Sequence, residues 1–91
     1  MFAIEQERSI RKIDTMRIDC AFTSARLEEV VDYLREFTGL NIVVRGAESA
    51  GSMTFNLRDV MLGAVFDHVS EAAGLSWKVD RFGIVTLSPR K

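Results

Sequence analysis

Shifted by thirty-five positions, the chain lines up with itself. Leu27, Val30, Asp32, Glu36, Gly39, Leu40 and Val44 fall on Leu62, Val65, Asp67, Glu71, Gly74, Leu75 and Val79, and Val31 and Leu34 meet the apolar Phe66 and Val69. Ahead of these, Ile18, Cys20 and Phe22 align with Met53, Phe55 and Leu57 in an alternating pattern. Alternation is the period of a strand covered on one face, and i, i+3, i+4, i+7 spacing is that of one helical face, so each copy reads strand, helix, strand. Units of this length can stack into a solenoid, but that takes about three or more, and 91 residues hold two. Two copies can shield their apolar faces only against each other, which predicts one duplicated α+β domain.

The pass along the chain fills in the order. Residues 2–14 scatter Phe2, Ile4, Ile10 and Ile13 among charges with neither period, and read as a partly helical lead-in or linker covering 1–15. A strand over 16–22 follows, and Thr23 and Ser24 stand where a helix cap is expected. The first helix carries the stripe Leu27, Val30, Val31, Leu34 and Phe37 and stops at Gly39, because glycine accepts the left-handed conformation that closes a helix. A strand over 41–45, a small-residue connection over 46–52 and a strand through Met53, Phe55 and Leu57 come next. Asp59 opens the second helix, with the stripe Leu62, Val65, Phe66, Val69 and Ala73 ended by Gly74. Leu75, Trp77 and Val79, a turn at 81–83 and a strand through Ile84, Val85 and Leu87 complete the domain, which closes at Pro89. The expected order is β-α-β-β-α-β-β over residues 16–89, two pseudo-repeated βαβ halves.

Composition narrows the function. With 47% hydrophobic and 27% charged residues and a net charge of −1, the chain has no basic face to match nucleic acid or anionic lipid. Apolar runs of four or five residues fall far short of the roughly twenty that span a bilayer, so neither a membrane helix nor a signal peptide is expected within it. Cys20 is the single cysteine, sits in an alternating strand and has no neighbouring base, so it reads as a small buried hydrophobe.

Reactive chemistry has no foothold in the pattern. His68 is the single histidine; its sequence neighbour Asp67 does not face it on a helix, and no ligand cluster at metal spacing accompanies it. Glu28, Asp32 and Glu36 form an acidic ridge relieved by Arg35, which reads as a solvated helix face. No serine or cysteine has a base and orienting group, and no Gly-rich phosphate loop follows a strand. Neither enzyme activity, cofactor nor metal is expected.

The string from Phe22 to Val44, with its Leu-x-x-Val-Val-x-x-Leu stripe and Thr-Gly-Leu-Asn-Ile-Val-Val ending, resembles the short N-terminal domain shared by secretins and TonB-dependent receptors. Phe55, Leu57, Asp59-Val60, Ala73-Gly74-Leu75 and the closing hairpin carry the same resemblance through the second half, from about Met16 to Pro89. Met61 and Arg45-Gly46 stand where family members often have prolines. The resemblance implies two helices held between small sheets, in a non-catalytic periplasmic module of an envelope protein. It also implies a protein partner from the inner membrane or periplasm, in secretion, pilus assembly or transmembrane signalling, with homo-oligomerisation of the parent protein left open.

Strand edges offer unpaired backbone groups to an incoming strand, and Arg17, Asp19, Ser52, Thr54 and Asn56 are the outward residues expected at such a docking face. Two rivals share the element pattern. One is an RRM-like RNA-binding module, which would need exposed aromatics on its central strands. The other is a small-ligand or glycan-binding regulatory domain.

Overall fold

The computed structural model describes residues 3–46 and 51–89. Its elements run α1 (Ala3–Thr15), β1 (Arg17–Arg26), α2 (Leu27–Thr38), β2 (Ile42–Val44), β3 (Ser52–Met61), α3 (Leu62–Ala73), β4 (Leu75–Val79) and β5 (Val85–Pro89). β1 and β3 form a two-stranded antiparallel ribbon, while β2, β5 and β4 form a separate sheet in that order, with β2 parallel and β4 antiparallel to β5. The helices α2 and α3 lie between them. Tyr33 and His68 meet Phe22 and Phe55 of the ribbon, whereas Arg35 reaches β2 and Phe66 packs on Trp77 of β4. This is the expected α+β architecture, and the separate sheets set it apart from the single four-stranded platform of an RRM.

Both stripes are buried. Val30, Leu34, Leu62, Val65, Phe66 and Val69 are fully enclosed, with Ile18, Cys20 and Phe55 covering them from the ribbon and Ile42, Leu75, Val85 and Leu87 from the second sheet. Gly39 and Gly74 close the two helices in the left-handed region, at φ 74° and 71°. The first stripe ends differently from expectation. Thr38 is buried and Phe37 is 51% exposed, because at 100° per residue the eleventh position after Leu27 lies closer to the stripe's centre than the tenth. Thr38 satisfies its buried hydroxyl by donating to the Leu34 carbonyl and accepting the Leu40 N–H.

Three further expectations are corrected. β1 and β3 run on to Arg26 and Met61, so Thr23, Ser24 and Asp59 cap no helix; α2 and α3 begin directly at Leu27 and Leu62. Ser24 and Asp59 instead take the same left-handed conformation, φ 51°, in two β-bulges. The second strand is shorter than expected, residues 42–44, and most of the expected connection after it, residues 47–50, lies outside the described residues.

Residues 3–15, expected as a lead-in, form a regular helix tied to the rest of the fold. Ile13 is 2% exposed and packs against Gly63 of α3. Three polar side chains of α1 donate to backbone carbonyls outside the helix: Gln6 to Val79 (3.1 Å), Ser9 to Gly83 (2.7 Å) and Lys12 to Thr38 (2.7 Å). The last places a cation at the C-terminus of α2, where the helix dipole favours it.

Candidate docking surface

The ribbon repeats the sequence's internal symmetry. Ala21 pairs with Asn56, and on either side the pairs Arg17–Met61 and Arg26–Ser52, Ile18–Val60 and Ala25–Met53, and Cys20–Leu57 and Phe22–Phe55 exchange under the thirty-five-residue shift. A pseudo-twofold axis therefore passes between Ala21 and Asn56. It also relates two hydrogen bonds: the Ser24 N–H donates to Thr54 Oγ1 at 2.8 Å, and the Asp59 N–H donates to Asp19 Oδ1 at 2.7 Å.

The inner face of this ribbon is apolar and the outer face polar. Arg17, Asp19, Ser52, Thr54 and Asn56, the residues expected to face outward, are all exposed. Asp19, Thr54 and Asn56 cluster about the axis, while Arg17 and Ser52 stand at opposite ends. Arg17 turns back to Asp59, donating to its carbonyl at 2.8 Å and lying 3.6 Å from its carboxylate. Arg17, Asp19 and Thr54 are therefore held by contacts within the ribbon, where exposed ion pairs contribute little to stability.

Beneath the ribbon runs a row of rings that the sequence stripes do not announce. Phe37 stacks on Tyr33 at 5.7 Å, Tyr33 meets Phe22 edge-on at 5.4 Å, Phe22 meets Phe55 at 5.6 Å, and Phe55 meets His68 at 5.1 Å. Two of its members, Tyr33 and His68, which flank Phe22 and Phe55, occupy the same position in the two repeats. Tyr33 donates its hydroxyl to the Asp19 carbonyl at 3.2 Å. Together with Arg17, Ile18, Asp19 and Asp59, Tyr33 and Phe37 line a groove of about 310 Å³ beside β1.

The remaining chemistry-bearing residues are accounted for locally. Asp67 accepts the Trp77 indole N–H at 2.7 Å and is not paired with His68. Asp32 and Arg35 form a bond at 2.8 Å within the acidic ridge, and Arg26 approaches Glu28 at 3.6 Å. Cys20 is 2% exposed, and burial raises its thiol from 9.0 to about 11. Among the described residues no group of three or more His, Cys, Asp and Glu could hold a metal ion, and no helix is long and apolar enough to cross a membrane.

Searches by sequence find no matching family model and no matching curated protein. Solved structures do match. A 43 kDa tail protein of prophage MuSo2 from Shewanella oneidensis superposes with a TM-score of 0.73 at 13% identity, over 88% of this chain and 26% of that one. The fold is shared. A candidate anti-sigma factor from Parabacteroides distasonis superposes with a TM-score of 0.71 at 11% identity, over 96% of this chain and 39% of that one. The chain thus spans well under half the length of either neighbour, and at such identities the likeness is one of architecture.

Proposed function

We propose that this chain is a non-catalytic protein–protein docking module of a bacterial envelope protein, of the secretin or TonB-receptor N-terminal type, working in the periplasm through the outer face of the β1–β3 ribbon. The observation that carries the reading is the ribbon itself. It is a two-stranded sheet, apolar beneath and polar above, with Asp19, Thr54 and Asn56 gathered at its centre and exposed. The fold's recurrence in a candidate anti-sigma factor supports a role in signalling by protein contact.

A photoreactive residue placed at Thr54 or Asn56 of the parent protein, in its own cells, tests the reading. One defined protein adduct should form at both positions and not at Arg81 on the β4–β5 turn. Equal labelling at all three, or none at the ribbon, refutes it. The variant Asn56→Lys, at an exposed position, should weaken the adduct formed at Thr54 while leaving the melting temperature unchanged.

A further inference from the structure

From the unequal treatment of its strand edges, and resting on the docking reading above, we infer that the outer edge of β3, residues 52–57, receives an extended, positively charged segment of the partner as an added strand. Exposed strand edges are templates for pairing, and proteins guard those not meant to be used. Three of the four edges here are guarded by a side chain that donates to an edge carbonyl. On β1 the Tyr33 hydroxyl bonds the Asp19 carbonyl; on β2 the Arg35 guanidinium bonds the Ile42 carbonyl through Nε and Nη2, at 3.1 and 2.7 Å; on β4 the Gln6 amide bonds the Val79 carbonyl.

The fourth edge has lost its guard. The thirty-five-residue shift carries Asp19 onto Thr54 and Tyr33 onto His68, so Thr54's carbonyl occupies on β3 the place that Asp19's occupies on β1. His68 is shorter than tyrosine and lies edge-on to Phe55 at 5.1 Å; among the described residues, no side chain donates to that carbonyl. Alternation along the strand turns Asn56's N–H and C=O to the same side.

The helix beside this edge is cleared in the same way. On α2 the ridge along β1 is Glu29, Tyr33 and Phe37; the equivalent positions on α3 are Ala64, His68 and Ala72, all exposed. Two bulky residues and a carboxylate are thus replaced by two methyl groups and an imidazole, which removes side-chain bulk from the helix face beside β3. Charge selects the occupant. On the exposed face of α3 stands Glu71, with Asp67 turned to the Trp77 indole and no lysine or arginine on the helix, so a segment whose cations reach Glu71 and lie clear of Arg58 is favoured over an acidic one. Such strand addition takes its affinity from main-chain hydrogen bonds and its specificity from alternate side chains.

The test is an amide-resolved NMR titration of the full chain with a capped decapeptide of alternating threonine and valine carrying two lysines, beside its glutamate counterpart. The lysine peptide should shift the amides of residues 52–57 and the His68 ring, slow exchange at Thr54 and Asn56 by about tenfold, and bind more tightly than the glutamate peptide. The graft Ala64→Glu, His68→Tyr and Ala72→Phe should abolish these effects; His68→Tyr alone, at an exposed position, should reduce them and serves if the triple variant fails to fold. Shifts centred on β1, equal binding of both peptides, no response, or peptide-independent dimerisation through β3 would each overturn the inference. If the photo-adduct at Asn56 persists while the titration fails, the docking reading stands and the edge assignment falls; if the adduct is missing, the docking reading falls first.

Discussion

Asp19 and Thr54 stand thirty-five residues apart and do the same thing: each side chain reaches across the ribbon to accept a backbone N–H from a bulge residue on the opposite strand, Asp59 and Ser24 respectively. Both donors have φ 51°, a conformation non-glycine residues seldom take. The paired acceptors are what hold them there. Removing one should cost about 0.5 to 1.5 kcal/mol, the net worth of a typical hydrogen bond. Asp19→Ala and Thr54→Ala should each lower stability by this amount in chemical denaturation, and the double variant should give their sum, because the two bonds share no partner. A loss confined to one of the two would show that the bulges are not equivalent.

Gly83 fixes how α1 meets the rest of the fold. It sits at φ 81°, and a Cβ there would lie 2.7 Å from the Glu5 carbonyl oxygen and 2.8 Å from Ser9 Oγ. Backbone cannot yield as a flexible side chain can. Gly83→Ala should therefore push α1 away and break the Ser9 bond to the Gly83 carbonyl, at a cost of about 1 to 3 kcal/mol. Faster amide exchange along residues 3–15 is the expected signature; exchange unchanged there would disprove the clash.

Leu34 and Phe37 lie on one helix and differ entirely in burial, at 0% and 51% exposed. Aspartate at position 34 places a carboxylate in a close-packed core, costing about 4 kcal/mol or more against a net stability of about 5 to 15. Leu34→Asp should give no cooperative melting transition. Phe37→Asp should melt within a few degrees of the parent, losing only its stacking on Tyr33, and a comparable collapse of both variants would contradict the assigned face.

The repeat made most of the fold legible, and it even held the correction at Phe37. Ala73 belongs to the second stripe, and its equivalent in the first copy is Thr38 rather than Phe37; local hydrophobicity favoured the aromatic, and geometry favoured the buried threonine. The bulges were hidden because Ser24 and Asp59 are unlike residues whose similarity lies in backbone angle. Helix α1 was hidden for another reason: one of its isoleucines, Ile13, enters the core, and the rest of its attachment is made by Gln6, Ser9 and Lys12 to carbonyls distant in sequence. The outward residues Asp19, Thr54 and Asn56 could be read from alternation, but the difference between their edges required knowing where Tyr33 and His68 reach.

Cys20 supplies a test of the core through pH. Burial raises its thiol from 9.0 to about 11, so above pH 9 the unfolded chain releases a proton that the folded chain still holds. Unfolding is then favoured progressively as pH rises from 9.0 toward about 11, while below 9.0 both states keep the proton and the cysteine adds no dependence. The informative quantity is the difference between the parent and a variant without the thiol. The melting temperature of the parent should fall more steeply over this interval than that of Cys20→Ala, with parallel curves below it. Curves that remain parallel throughout would mean that the thiolate is accommodated, and that the ribbon does not seal the core at Cys20.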